Sequence, residues 1–169
     1  MVLKNDINIS VEQIWSILEE VKDPEVPVLS VIDLGIIRDI KINDEETEVI
    51  ITPTYSGCPA MDVIRTNIRL ALLQYDFKNI KITTVLSPAW TTDWMTKEGK
   101  EKLKAFGIAP PTPKQQVCNS RLFHEAEAIQ CPQCNSYNTR LISQFGSTAC
   151  KALYQCNDCY EPFDYFKCH

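Results

Sequence analysis

The sequence predicts an α+β protein: a small helix-on-sheet sandwich in the order α-β-β-α-β-α, followed by a β-rich zinc ribbon. Three observations predict it. Apolar residues alternate between helical periods and strand-like runs as far as about residue 109. Pro110-Pro111-Thr112-Pro113 then forms a stiff, hydrogen-bond-poor stretch. Beyond it stand two Cys-x-x-Cys turns, Cys131/Cys134 and Cys156/Cys159, separated by enough chain for a β-hairpin. The expected division is residues 1–109 for the α+β domain, 110–117 for the linker and 118–169 for the ribbon.

Each element has its own reason. Ser10 and Gln13 make a capping-box pattern, and Ile14, Leu18 and Val21 repeat on one helical face. Asp23-Pro24 breaks that helix, and Pro27 keeps the following loop extended. Ile36–Ile42 and Thr47–Thr52 read as a hairpin about the polar turn Asn43–Glu46. Pro59 suits the first turn of a second helix, continued by Met61, Ile64, Ile68 and Leu72. A third strand runs from Ile80 to Leu86, and a last helix from about Trp94 to Phe106 ends at Gly107.

Composition removes several classes of function. The 169 residues are 44% hydrophobic and 23% charged, which is ordinary for one or two small globular domains. No apolar run approaches the roughly 18 residues of a membrane span. The start, MVLKNDINIS, lacks an apolar core of the kind a secretion signal carries. A cytoplasmic protein is expected, with neither membrane nor nucleic acid as partner, because a net charge of −5 gives no basic surface. Eight cysteines against two histidines in a reducing compartment read as metal ligands or reactive thiols before disulfides.

The paired knuckles carry the strongest signal. Cys131, Cys134, Cys156 and Cys159 supply four thiolates to one tetrahedral site, and about 40 residues cannot build a sufficient core without a metal. A closed structural zinc site is expected. Redox iron in the same ligand set is the alternative, but rubredoxin-type knuckles carry Gly after the second Cys where this chain has Asn135 and Tyr160. Cys118 is expected to be a buried or incidental thiol, Cys150 a packed small residue rather than a spare thiol near the metal, Cys168-His169 a tail or docking element, and His124 has no ligand-spaced partner.

Cys58 is different, because it sits at a helix start directly before Pro59. Unpaired N–H groups and the helix dipole are expected to lower its pKa there. From the residues alone it is a nucleophile, a metal or cluster ligand, or simply a helix-start residue. Asp33 lies before Gly35 and is expected at a loop, as a presented or a capping carboxylate. Ser87-Pro-Ala-Trp90-Thr91-Thr92-Asp93-Trp94 crowds two Trp and several hydroxyls into one loop, which binds a partner or plugs the helix against the sheet.

Asp23-Pro-Glu-Val-Pro-Val-Leu-Ser-Val-Ile-Asp-Leu-Gly35 and the Thr52…Gly-Cys58-Pro stretch resemble the SufT-like family of iron–sulfur cluster assembly. Together with the Ser87–Trp94 loop, Phe145-Gly-Ser-Thr-Ala-Cys-Lys-Ala-Leu-Tyr154 and Glu161-Pro-Phe-Asp-Tyr-Phe-Lys-Cys-His169, they make nearly the whole chain similar to PaaD-like proteins of phenylacetate degradation. The resemblance implies an accessory role beside a multicomponent oxygenase that epoxidises the ring of phenylacetyl-CoA, with that oxygenase and its iron–sulfur reductase as partners. It implies that Cys58 is a transient ligand for iron or an Fe–S cluster, and that Glu25 and Asp33 belong to the family's acidic motif. Thr52, Ser87, Trp90, Thr91, Thr92 and Asp93 are the candidate loop-binding residues.

Three roles follow. The first is a non-catalytic maturation factor, in which one cysteine holds a cluster with the help of a homodimer, a partner or small thiols. The second is a scaffold subunit of the oxygenase. The third is a zinc-ribbon electron carrier or thiol enzyme. The chain is not the oxygenase itself, since it lacks the Glu-x-x-His pairs of a carboxylate-bridged di-iron site. Cys58 and Asp33 are expected to share one exposed end of the first domain.

Overall fold

The computed structural model describes residues 10–43, 46–111 and 129–167. Cys118, His124, Cys168, His169 and positions 112–117 of the expected linker lie outside them.

The first helix, α1 (Val11–Glu19), opens with the capping box read from the sequence. The Ser10 hydroxyl accepts from the Gln13 N–H at 3.4 Å, and the Gln13 side chain accepts from the Ser10 N–H at 2.9 Å. β1 (Ile37–Ile42) pairs antiparallel with β2 (Thr47–Ile51), and β3 (Ile80–Thr84) pairs parallel with β2. The parallel pair needs a crossover, which α2 (Ala60–Leu73) supplies. Its Ile64, Ile68 and Leu72 recur every fourth residue and bury one face among Ile14, Leu18, Val49 and Ile51.

The last helix of this unit, α3 (Lys97–Ala105), begins at Lys97 rather than at Trp94. The reason is a second cap: Thr91 starts a short 3-10 turn over Thr92–Trp94, and Thr96 then accepts from the Gly99 N–H at 2.9 Å. Gly35 makes the approach of this segment possible. Its φ is +66°, and a Cβ there would lie 2.1 Å from the Trp94 carbonyl oxygen. Gly35→Ala is expected to cost about 3 kcal/mol, from a left-handed backbone plus a backbone clash. A denaturation midpoint unchanged from wild type would refute it.

The second sheet is antiparallel in the order β4-β5-β6, with β4 (Thr139–Ser143), β5 (Lys151–Cys156) and β6 (Pro162–Phe166). The first two strands match the runs expected around Gly146-Ser147, whereas β6 is an addition. Its signal is a period-2 alternation, Phe163 and Tyr165 buried beside the less buried Pro162 and Asp164, with Pro at the strand start where it is tolerated.

This ribbon is docked on the first sheet's unit. Ala109 pairs with Tyr165 in a parallel bridge, its N–H donating to the Asp164 carbonyl at 2.8 Å and its carbonyl accepting from the Phe166 N–H at 2.9 Å. Phe166 sits edge-on to Trp90, centroids 6.3 Å apart. Phe166 and Cys150 are buried in the same apolar cluster as α1 and α2. Among the described residues no helix is long and apolar enough to cross a membrane.

Candidate functional site

The two knuckles converge. The Sγ atoms of Cys131, Cys134, Cys156 and Cys159 all lie within 4.8 Å of one another, with Cys131–Cys159 at 3.8 Å and Cys134–Cys156 at 3.5 Å. Tetrahedral ligation at a Zn–S length of about 2.3 Å requires S···S separations of about 3.8 Å, so the donors fit a single ion as they stand. Asn135 and Tyr160, each following a second cysteine, have φ of 60° and 63°. They adopt the left-handed turn that glycine takes in other knuckles, so the departure in residue type leaves the backbone geometry intact. The Cys159 N–H, followed by the Asp158 N–H, draws the Cys156 thiol down to about 7, while burial and the neighbouring thiols push Cys134 and Cys159 up, so the four share their protons as one group. Asp158 ties the knuckles together, accepting from the Asn138 side chain at 2.7 Å and from the Ser136 hydroxyl.

Cys58 lies just before α2, its N–H donating to the Tyr55 carbonyl at 3.1 Å. The expected lowering of its pKa is corrected by the structure. The thiol is half-buried, and burial first, then the charges of Glu25 and Asp23, push it up against the Ala60 N–H and Thr54. Tyr55 hydrogen-bonds the same thiol, and its hydroxyl is raised to about 12 by burial and by Cys58, Glu25 and Cys150. The carboxylates come from a compact loop in which Asp23 accepts from the Glu25 and Val26 N–H groups at 2.8 and 2.7 Å. Burial raises Asp23 more than these bonds lower it. A thiol held protonated is a poor nucleophile, whereas thiol and carboxylate together are donors for a thiophilic cation.

Cys150, expected as a packed thiol, is buried, yet its Sγ lies 3.7 Å from Glu25 Oε2 and 3.0 Å from Thr148 Oγ1. Burial raises it to about 11, with Glu25 adding to the shift. Sequence reasoning missed Tyr55 and Asp23 as neighbours of Cys58, and Cys150 as a neighbour of Glu25. Only the Asp23-Pro-Glu motif and the Gly146–Ala152 stretch hinted at them.

Asp33 is not presented at an exposed end of the domain, which corrects that expectation, and of the two readings of its carboxylate the turn-forming one matches the structure. Only 5% of it is exposed. Its carboxylate accepts from the Ser30 N–H at 2.9 Å, the Thr96 hydroxyl at 3.2 Å and the Lys102 ammonium at 2.6 Å. Burial alone would raise its pKa, but Lys102 and Ser30 outweigh that and hold it below the usual carboxylate range. Asp33 thereby clamps α3 onto the Ser30–Gly35 turn.

The loop candidates divide. Trp90 is buried and donates to the Leu34 carbonyl at 2.9 Å, so it plugs the core, and Thr92 is buried beside it in sequence. Thr91 caps the 3-10 turn, while Ser87 and Asp93 are exposed. Thr52 is 1% exposed, and its hydroxyl has no hydrogen-bond partner among the described residues.

Comparison with known proteins follows the two sheets. Residues 115–167 match the PaaD zinc beta ribbon domain, and residues 11–83 match an iron–sulfur cluster assembly protein family. A component of the putative 1,2-phenylacetyl-CoA epoxidase of Escherichia coli (strain K12) is 48% identical over 158 residues, spanning 94% of this chain and 93% of the relative. The chain belongs to the PaaD family. A second relative, an Fe-S protein maturation auxiliary factor of Bacillus subtilis (strain 168), is 32% identical over 91 residues, covering 53% of this PaaD-family chain and 88% of its own. A crystal structure of a domain of unknown function from Bacillus anthracis shares the fold at a TM-score of 0.52 and 24% identity, covering 54% of this chain and 89% of that domain. The PaaD family therefore joins an assembly-type α+β unit to a ribbon, and here the two are packed together.

Proposed function

We propose that this PaaD-family chain is a non-catalytic maturation factor that carries iron or an iron–sulfur cluster to a multicomponent phenylacetyl-CoA epoxidase. The observation that carries the reading is the Cys58 environment: a half-buried thiol beside Glu25, Asp23 and Tyr55, at a helix start in the assembly-type unit. The relatives named as a maturation factor and as an epoxidase component support the client class. The ribbon holds zinc through Cys131, Cys134, Cys156 and Cys159; a bound zinc supplies folding energy there and no chemistry, since all four positions are taken by protein thiolates. Oxygenase subunits and their iron–sulfur reductase are the partners, in the cytoplasm. A cluster on one Cys58 draws its other ligands from a partner, a second copy or small thiols unless this chain supplies them.

Anaerobic reconstitution of the zinc-replete protein with iron and sulfide tests the reading. Wild type is expected to gain visible absorption with bound iron and sulfide, and Cys58→Ser to lose it while keeping its zinc. An unchanged spectrum in that variant overturns the role of Cys58.

A second reading, a scaffold role within the oxygenase, is favoured by the outer strand β4. Its Leu141 and Ile142 are exposed, and Phe145 just beyond it is 61% exposed. Such an apolar edge suits docking. Co-purification with oxygenase subunits by Cys58→Ser as readily as by wild type would favour it.

A further inference from the structure

We infer that Cys150 of the ribbon completes the Cys58 site, so that the cargo is held across the two units by two thiolates and the Glu25 carboxylate. This deepens the maturation reading and rests on it.

The placement carries the argument. Cys150 lies far from Cys58 in sequence, yet it is buried in the cluster against which Cys58 packs. Its sulfur is 3.7 Å from Glu25 Oε2, and the charges of Glu25 and Asp23 also reach Cys58. Tyr55 bridges the group, hydrogen-bonded to Cys58 and within electrostatic reach of Glu25 and Cys150. Glu25, Cys58 and Cys150 thus all lie within electrostatic reach of one phenol. The docking contacts hold them there: Phe166 against Trp90, and Ala109 against Tyr165. Small-residue packing alone accounts for a buried thiol, but not for one aimed at a carboxylate of the other unit.

Charge points to the occupant. Among the described residues no ion pair reaches Asp23 or Glu25, and the nearby Lys151 ammonium pairs with Asp164 at 3.8 Å. Two carboxylates within electrostatic reach of two thiols, neither of them in an ion pair among the described residues although the charges of Lys151 and Lys167 reach Cys150, suit a positively charged, thiophilic ligand. The three donors are more widely spread than the ribbon's, because among the described residues only the four ribbon thiols lie mutually within 4.8 Å. A wide, part-exposed donor set fits a cluster of more than one iron that must leave again, rather than a closed structural ion. Cys150 also answers the shortage of ligands, since each chain then offers two thiolates instead of one.

The experiment uses the full, zinc-replete chain, reconstituted anaerobically with iron and sulfide and then challenged with an iron chelator. Cys150→Ser and Glu25→Gln are each expected to lose iron at least about tenfold faster than wild type, the scale of altered metal-site support. Cys150→Ser is also expected to change the shape of the visible band, which a purely structural thiol would not do. Ribbon zinc at wild-type stoichiometry certifies the fold, and Glu25→Gln decides the matter if Cys150→Ser fails to fold. If Cys58→Ser abolishes the absorption while Cys150→Ser and Glu25→Gln match wild type in rate and band shape, the two-unit site is wrong and the maturation reading stands. If wild type takes up no iron and sulfide, both fall.

Discussion

Stripping the metal from the Cys131/Cys134/Cys156/Cys159 site is expected to unfold the ribbon while leaving α1, α2 and the first sheet in place. Metal binding and folding are one process in such units, worth on the order of 10 kcal/mol or more at neutral pH. The ribbon's own core is small: Ala109, Ile129, Ala152, Tyr154, Phe163 and Tyr165 together with two ligand cysteines. Nothing of that size outweighs the chain entropy of three strands. The first unit keeps Ile14, Leu18, Val49, Ile51, Ile64, Ile68 and Leu72, all essentially buried among themselves. Backbone hydrogen exchange before and after chelation checks this. Exchange should rise throughout β4, β5 and β6 and hold in α2; protection retained in β5 after metal loss would refute the prediction. Trp90 gives an optical reading of the same event, since its edge-on partner Phe166 leaves with the ribbon.

Asp33→Asn is expected to lower stability at neutral pH by about 3 kcal/mol, the scale for breaking a buried, hydrogen-bonded ion pair. The half-exposed Lys102 partner keeps the loss toward the lower end of that range. The sign with pH follows from the lowered pKa of Asp33. Its stabilisation is present above the ordinary carboxylate value and is lost as pH falls through the lower, folded value. The gap between wild type and Asp33→Asn should therefore be full near neutrality and close in acid. A gap that stays constant down to strongly acidic pH would show that shape, not charge, makes the clamp.

Much of the architecture is legible in the sequence because it is written in local patterns. The Ser10/Gln13 box, the Ile64/Ile68/Leu72 stripe and the two Cys-x-x-Cys turns each need only a few neighbouring residues to declare themselves. Asp33 misleads because its partners, Thr96 and Lys102, lie 63 and 69 residues away in sequence. A turn-forming Asp looks the same in sequence whether its carboxylate faces water or a lysine. Cys58 misleads for a related reason. A helix start argues for a lowered thiol pKa, but Glu25, Asp23 and burial act through space and win. Cys150 cannot be paired with Glu25 from sequence at all, since nothing local says where a ribbon will dock.

Strand β5 joins two places that chemistry would otherwise keep apart. It ends at Cys156, a knuckle ligand, and begins immediately after Cys150, at the carboxylate of Glu25. Six strand residues make a stiff spar of about 20 Å. A newly made chain without its ribbon ion has no such spar and cannot present Cys150 to Glu25. On the two-unit site inferred above, loading is sequential: the ribbon ion comes first, and a chain that lacks it offers its cargo one thiolate fewer and releases it sooner.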